Sequence, residues 1–285
     1  LGVEYLRWHT TAGELYLTRF GCPFAEQLAP ENWYAPDWFV AQRTRLPGTS
    51  AIYRVPTRTI GGVSLDLVVR FSRVGEEVPL DTLTVCQYPH AEFNSPFEEI
   101  ALVMQLRAVC AEASRPVLLT KRPLAVFAPA QRLQRWQTGR RENKLAAKRA
   151  RHPEVELDLL QPYLLLYGWI DGLNAVQTAD QLGLPEGPRQ AFLADLTQGA
   201  IRDLAAHGFR MLDIKPEHLL LRLRPDGTLL QRPDGQPAYA LVDYELLERL
   251  EARALPTDGG GRQPTSVGSA LPQPSRSASS PANAA

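Results

Sequence analysis

Apolar and polar positions alternate along "TRLPGTSAIYRVPTRTIGGVSLDLVVRFSRVG", residues 44–75, around a Pro-Gly and a Gly-Gly. This is the strand–turn–strand pattern of an antiparallel meander. The period then changes. In "SPFEEIALVMQLRAVCAEA" the apolar residues Ile100, Val103, Met104 and Leu106 recur at helical spacing. Ser95 is placed as N-cap, Pro96 as N1, and Glu98 and Glu99 fall in the first turn. "RPLAVFAPA" and "QPYLLLYGWIDG" predict two more strands. "PEGPRQAFLADLTQGAIRDLAAHGF" predicts a long helix closed by Gly208. The turns "PDG" at 225–227 and "PDGQP" at 233–237 separate three short strands, "HLLLRLR", "TLLQR" and "AYALVDY". Sheet first, helix later and a small β element at the end give an α+β fold in two lobes.

The flanking segments are of different texture. Residues 1–43 are expected to be an N-terminal extension, with Trp33 and Trp38 as packing anchors. Residues 255–285 are Ser, Pro, Gly and Ala with little to bury, and predict a disordered tail. Residues 131–155 carry eight Arg or Lys, from Arg132 to Arg151, and predict a basic helical insertion, solvated or offered to an anionic partner.

Composition narrows the function classes. Across 285 residues, 31 basic and 31 acidic side chains cancel, so no global charge draws the chain to nucleic acid or membrane. The three cysteines, Cys22, Cys86 and Cys110, form neither a disulfide framework nor a zinc spacing, and a reducing cytoplasm is the expected home. Cys86 and His90 in "CQYPH" lack two further ligands for a metal site. The longest apolar run, "PYLLLYGWI", falls well short of the roughly 20 residues that cross a bilayer. "LGVEYLRWHT" does not read as a signal peptide, and its first residue, Leu, leads us to expect a trimmed start or an unusual initiation codon.

The candidate chemistry lies in "HGFRMLDIKPEHLLLR" and "YALVDYE". Asp213 and Lys215 stand on a loop between helix and strand, and Asp243 ends a later strand. A hairpin between them would bring both carboxylates to one end of a small sheet. There one could accept a proton or orient a hydroxyl, and the other hold a hard divalent cation. Lys215 could neutralise charge on a moving phosphoryl group. His207, at the end of the long helix, reads as a C-terminal cap favoured by the helix dipole.

"LDIKPEHLLL" followed by "LVDYE" resembles the catalytic loop and metal-binding turn of the protein-kinase-like phosphotransferases. The preceding segments fall in that family's order. "GTSAIYRV" is similar to the phosphate-covering hairpin, "LDLVVRF" to the third strand, "FEEIALVMQL" to the helix with the pairing glutamate, and "LLLYGWIDG" to the hinge strand. The resemblance implies a bilobal kinase-like fold, with a β-rich lobe over 44–170 and a minimal, truncated helical lobe over 171–254. It also implies ATP as cofactor with Mg²⁺ or Mn²⁺, and an acceptor hydroxyl on a small molecule, sugar, lipid headgroup or protein.

Residue by residue, the resemblance implies that Asp213 orients or deprotonates the acceptor and that Lys215 contacts the transferred phosphate. Asp243 would hold the metal. Arg70 would be the third-strand cation and Glu99 its partner, with Glu98 as the alternative. Tyr167, Gly168 and Trp169 would lie along the adenine, and Gly48 would serve the phosphate hairpin.

Several positions depart from the family's pattern. Arg70 replaces a lysine and is not interchangeable with it. His218 takes the place of a metal-binding Asn; imidazole suits Mn²⁺ better than Mg²⁺. Met211 and Leu212 replace a His-Arg. Glu245 stands where a Gly is usual, as in the Asp-Trp-Glu of the aminoglycoside phosphotransferases. Only "LLERLEARAL" precedes the tail, so peptide-docking helices are expected to be missing. Two other readings stay open: a pseudokinase that binds nucleotide or scaffolds partners, and an α+β domain whose acids are surface turns.

Overall fold

The computed structural model describes residues 2–48, 50–80, 83–112 and 118–250. The expected tail lies outside these residues. The strands are β1 (Leu6–Thr10), β2 (Gly13–Leu17), β3 (Thr44–Arg45), β4 (Ile52–Pro56), β5 (Asp66–Phe71), β6 (Leu119–Thr120), β7 (Pro123–Pro129), β8 (Leu164–Gly168), β9 (Leu173–Asn174), β10 (Phe209–Met211), β11 (Leu219–Leu221), β12 (Tyr239–Leu241) and β13 (Leu247–Arg249). The helices are α1 (Ala25–Leu28), α2 (Pro36–Gln42), α3 (Leu83–Cys86), α4 (Pro96–Glu112), α5 (Arg135–Thr138), α6 (Glu142–Arg151), α7 (Ala175–Gln181) and α8 (Glu186–Ala206).

Seven strands form one antiparallel sheet in the order β1-β2-β7-β8-β5-β4-β3. The meander of residues 44–75 supplies β3, β4 and β5, as its alternation predicts. Residues 1–43 supply β1 and β2, so the segment read as an extension is continuous with this sheet. Strand alternation sends successive side chains to opposite faces. Leu67, Val69, Leu164 and Leu166 pack on one face beneath Trp33 and Phe39. Val68, Val126, Leu165 and Tyr167 pack on the other, against Ile100, Val103 and Leu106 of α4. Both faces are therefore covered. Trp33 is fully buried, and its indole N–H donates to the Leu28 carbonyl at 2.8 Å. Trp38 is half-buried and donates to the Pro56 carbonyl at 2.9 Å.

A smaller sheet follows, in the order β6-β12-β11-β9, and β10 pairs with β13. The first is antiparallel except where β6 joins β12 in parallel. "TLLQR", expected as a strand, makes only the bridges Leu223 to Leu229 and Gln231 to Pro237. The two Asp-Gly turns at its ends leave too short a run for a ladder; Gly227 and Gly235 take positive φ there.

Helix α4 begins with the predicted cap. Ser95 Oγ accepts the Glu98 amide and Glu98 Oε2 accepts the Ser95 amide, both at 3.1 Å, a reciprocal capping box. Helix α8 ends at Ala206, with His207 Nδ1 2.7 Å from the Asp203 carbonyl and Gly208 in the left-handed region.

Residues 131–155 are solvated over most of their surface, as expected, and docked along one side. Leu145 and Lys148 of α6 are buried, and Lys148 Nζ lies 2.8 Å from Glu98 Oε2. Arg132, Arg141, Lys144, Arg149 and Arg151 face Asp158, Glu77, Glu77, Glu142 and Glu92. Arg140 donates to the carbonyls of Leu159 and Gln161. The insertion's charge is largely answered within the chain.

Candidate functional site

The alternation of β5 and β8 decides what meets α4. Arg70 and Tyr167 point to the face that α4 covers, and Glu99 comes from the first turn of that helix. The Arg70 guanidinium donates to Glu99 with one nitrogen and to Glu245 with the other. Tyr167 donates its hydroxyl to Glu99 Oε1 at 2.5 Å. All four side chains are buried. Burial works against the Arg70 charge, but Glu99 and Glu245 outweigh it and hold its pKa well above the ordinary value. Burial, Asp243 and Glu99 push the Glu245 carboxyl up to about 7, against the pull of Arg70 and Arg73. Glu98 turns the other way, toward Lys148, so the two consecutive glutamates serve different neighbours.

The segment Asp243-Tyr244-Glu245 ties three parts of the site together. Glu245 also accepts from Ser50 Oγ at 3.0 Å, fastening the β3–β4 hairpin to the turn. Tyr244 is fully buried; its hydroxyl donates to the Leu241 carbonyl and accepts the Lys121 amide at 2.7 Å. Asp243 Oδ1 accepts the Glu245 amide at 3.1 Å. Burial acts to raise the Asp243 carboxyl, but His218, Arg70, the Glu245 amide and Lys121 together hold it below the usual range.

Hairpin register brings His218 to Asp243. Leu219 pairs with Leu241, and the Val242 amide donates to the His218 carbonyl at 3.1 Å. His218 Nε2 thereby lies 3.4 Å from Asp243 Oδ2, while its buried Nδ1 meets no hydrogen-bonding partner among the described residues. On the preceding loop Lys215 Nζ sits 2.9 Å from Asp213 Oδ2. Met211 and Leu212, just before, are buried in the core.

Asp213, Lys215, His218 and Asp243 all line one cavity of about 530 Å³. Gly48 and Trp169 line it as well, and Ile52, Val68, Leu173, Leu220 and Val242 give it an apolar wall. Of the ten site residues named from sequence, six line this surface: Gly48, Trp169, Asp213, Lys215, His218 and Asp243. Arg70, Glu99, Tyr167 and Gly168 are not among the lining residues; the first three form the buried layer behind it. The amides of Gly168 and Trp169 donate to the carbonyls of Arg122 and Asp66 at 3.0 and 2.9 Å, because the strand pairing runs on to the end of β8. They are already engaged, and Ile170 and Gly172 are the next backbone to line the cavity.

Sequence reasoning missed Lys121. It lines the cavity at only 7% exposure, its ammonium 5.6 Å from the centre of the Tyr167 ring. Burial pushes its pKa down to about 8, with Asp243 partly offsetting. A lysine between two apolar strand runs was the available signal. Among the described residues no cluster of three His, Cys, Asp or Glu side chains is disposed to hold a metal by itself, and Cys86 is exposed. Among those residues, too, no helix is long and apolar enough to cross a membrane.

No protein-family model matches the chain, and no curated protein does. Among solved structures it is similar to the Rio2 kinase–ADP/Mg²⁺–phosphoaspartate complex from Chaetomium thermophilum, with 14% identity and a TM-score of 0.37. That likeness covers 88% of this chain and 60% of the other, so this chain spans less than two thirds of its length.

Proposed function

We propose that this chain is an ATP-dependent phosphotransferase that moves the γ-phosphoryl group of ATP to a hydroxyl acceptor. The observation that carries the reading is convergence: Asp213 and Lys215 on one loop, and His218 and Asp243 across a hairpin, open onto one cavity. Its volume is within the ordinary range for a small-ligand site, and an apolar wall beside convergent polar groups is the usual composition. The adenine would lie against Ile52, Val68, Leu173, Val242 and Trp169. Asp213 accepts the acceptor's proton, and Lys215 holds negative charge on the transferred group. The hydroxyl oxygen forms the new bond to phosphorus as the bond to the ADP oxygen breaks.

Asp243 and His218 would fit a divalent cation as a partial donor set, one carboxylate and one imidazole, with Asp243 Oδ2 and His218 Nε2 3.4 Å apart. Phosphate oxygens and water would complete the shell. Imidazole makes the pair better suited to Mn²⁺ than to Mg²⁺. A cation held by Asp243 and His218 would supply charge neutralisation for the nucleotide phosphates.

The test is nucleotide binding followed by turnover. ATP with Mn²⁺ or Mg²⁺ raises the melting temperature by linkage, and phosphoryl transfer is lost in Asp213→Ala while binding persists. One observation favours a nucleotide-binding scaffold instead: Arg70 is engaged by two carboxylates behind the cavity. Binding without transfer in either metal decides for the scaffold. Absence of any stabilisation by nucleotide overturns both.

A further inference from the structure

We propose that Lys121, and not the strand cation Arg70, is the residue that grips the phosphate chain of the bound nucleotide. The inference rests on the nucleotide reading of the cavity and deepens it.

Arg70 is committed to the layer behind the cavity and is not among its lining residues. Glu99 and Glu245 take its two terminal nitrogens, and the guanidinium fork is planar and rigid. Lys121 is in the opposite condition. Among the described residues its ammonium makes no hydrogen bond and no ion pair within 4.0 Å; it lies over the face of Tyr167, with Asp243, Glu99 and Glu245 attracting it from farther off. Three donors on so largely buried a side chain are costly unless something answers them. What they face is the cavity that Asp243 and Glu245 also line. Arg73 and Lys215, which also line it, already face Glu76 and Asp213 at 3.1 and 2.9 Å.

The backbone carrying Lys121 is held from several sides. It stands at the step from β6, in the smaller sheet, to β7, in the larger one. Its amide donates to Tyr244, and Arg107 Nη1 bonds the preceding Thr120 carbonyl at 2.8 Å. A side chain set on so fixed a backbone needs little ordering when an anion arrives, which is how a pre-formed site gains affinity. The chemistry it suits is a di- or triphosphate, whose charge would be shared between this ammonium and a cation held by Asp243 and His218.

Calorimetry with ATP, ADP, adenosine and inorganic tripolyphosphate, on wild type and Lys121→Met, tests this. We expect ATP and ADP affinity to fall tenfold or more in Lys121→Met, adenosine affinity to stay within twofold, and tripolyphosphate binding to disappear. Unchanged ATP affinity in a folded Lys121→Met overturns the assignment and leaves the nucleotide reading standing. A wild type that binds tripolyphosphate through Lys121 but not ATP or adenosine keeps the anion site and removes the nucleotide. A wild type that binds none of them removes both. Should Lys121→Met fail to fold, amine acylation of wild type read by mass spectrometry replaces it. ATP but not adenosine then protects Lys121, and equal labelling with and without ATP overturns the proposal.

Discussion

The Tyr244 hydroxyl accepts the amide proton of Lys121 at 2.7 Å, so the turn that bears Asp243 and the junction that bears the buried lysine are held as one piece. Tyr244→Phe leaves that amide without its acceptor and the Leu241 carbonyl without its donor, both in the interior. A buried group left unsatisfied costs about 1–3 kcal/mol. Urea denaturation of Tyr244→Phe gives a lower midpoint at an unchanged slope.

Arg70 answers two buried carboxylates at once. Arg70→Met leaves Glu99 and Glu245 without their cation, a loss of about 3–5 kcal/mol by the behaviour of broken buried pairs. Arg70→Lys keeps the charge but cannot span both partners, so its loss is smaller yet real. Adding Glu99→Gln and Glu245→Gln to Arg70→Met recovers part of the stability, because the stranded charges are then gone. Denaturant midpoints across these variants check the order.

Glu98 gives a pH signature. Burial acts to raise its carboxyl, but the charge and hydrogen bond of Lys148 and the Ser95 amide outweigh it, and the folded-state pKa lies below the ordinary value. A depressed carboxyl contributes stability that is present above the unfolded pKa, about 4.3, and is lost as pH falls through the folded value. Glu98→Gln keeps the capping acceptor and removes the charge. It is expected to be less stable than wild type by about 1–3 kcal/mol at pH 7, and the gap closes in acid denaturation below pH 4.

Two glycines respond oppositely to a methyl group. At Gly13, with φ +144°, an added Cβ would stand 2.2 Å from the Ala128 carbonyl oxygen across the β2–β7 ladder. Backbone cannot yield there, so Gly13→Ala costs several kcal/mol, on the order of other backbone-incompatible changes. Gly199, inside α8, meets only the end of Arg202 at 3.9 Å. Gly199→Ala stabilises by about 0.5–1 kcal/mol. Thermal melts of the two variants shift in opposite directions.

His218 sets metal preference under the phosphotransferase reading. His218→Asn raises turnover in Mg²⁺ relative to Mn²⁺, because an amide oxygen suits the harder ion. An unchanged ratio of rates in the two metals removes His218 from the metal's shell.

Local signals made much of this molecule legible from sequence. Ser95 and Glu98 announce the start of α4, Gly208 closes α8, and the alternation of residues 44–75 yields three strands because one short-range pattern decides each. The convergence of Asp213 and Asp243 was legible because a hairpin between them leaves little choice. Less accessible were relationships that join distant segments. Nothing local in residues 6–17 says that β2 pairs with β7, more than a hundred residues on. Lys121 and Lys148 look like surface lysines until two sheets and two helices close around them. The same holds for the direction of the two consecutive glutamates, which only the packed helix decides.

That pair of glutamates fixes how α4 can behave. At a single helical turn, one carboxylate is bound inward to Arg70 and the other outward to Lys148. Any swing of the helix away from the sheet breaks the first, and any slide beneath α6 breaks the second. The back of the pocket is therefore a wall braced from two directions at one turn.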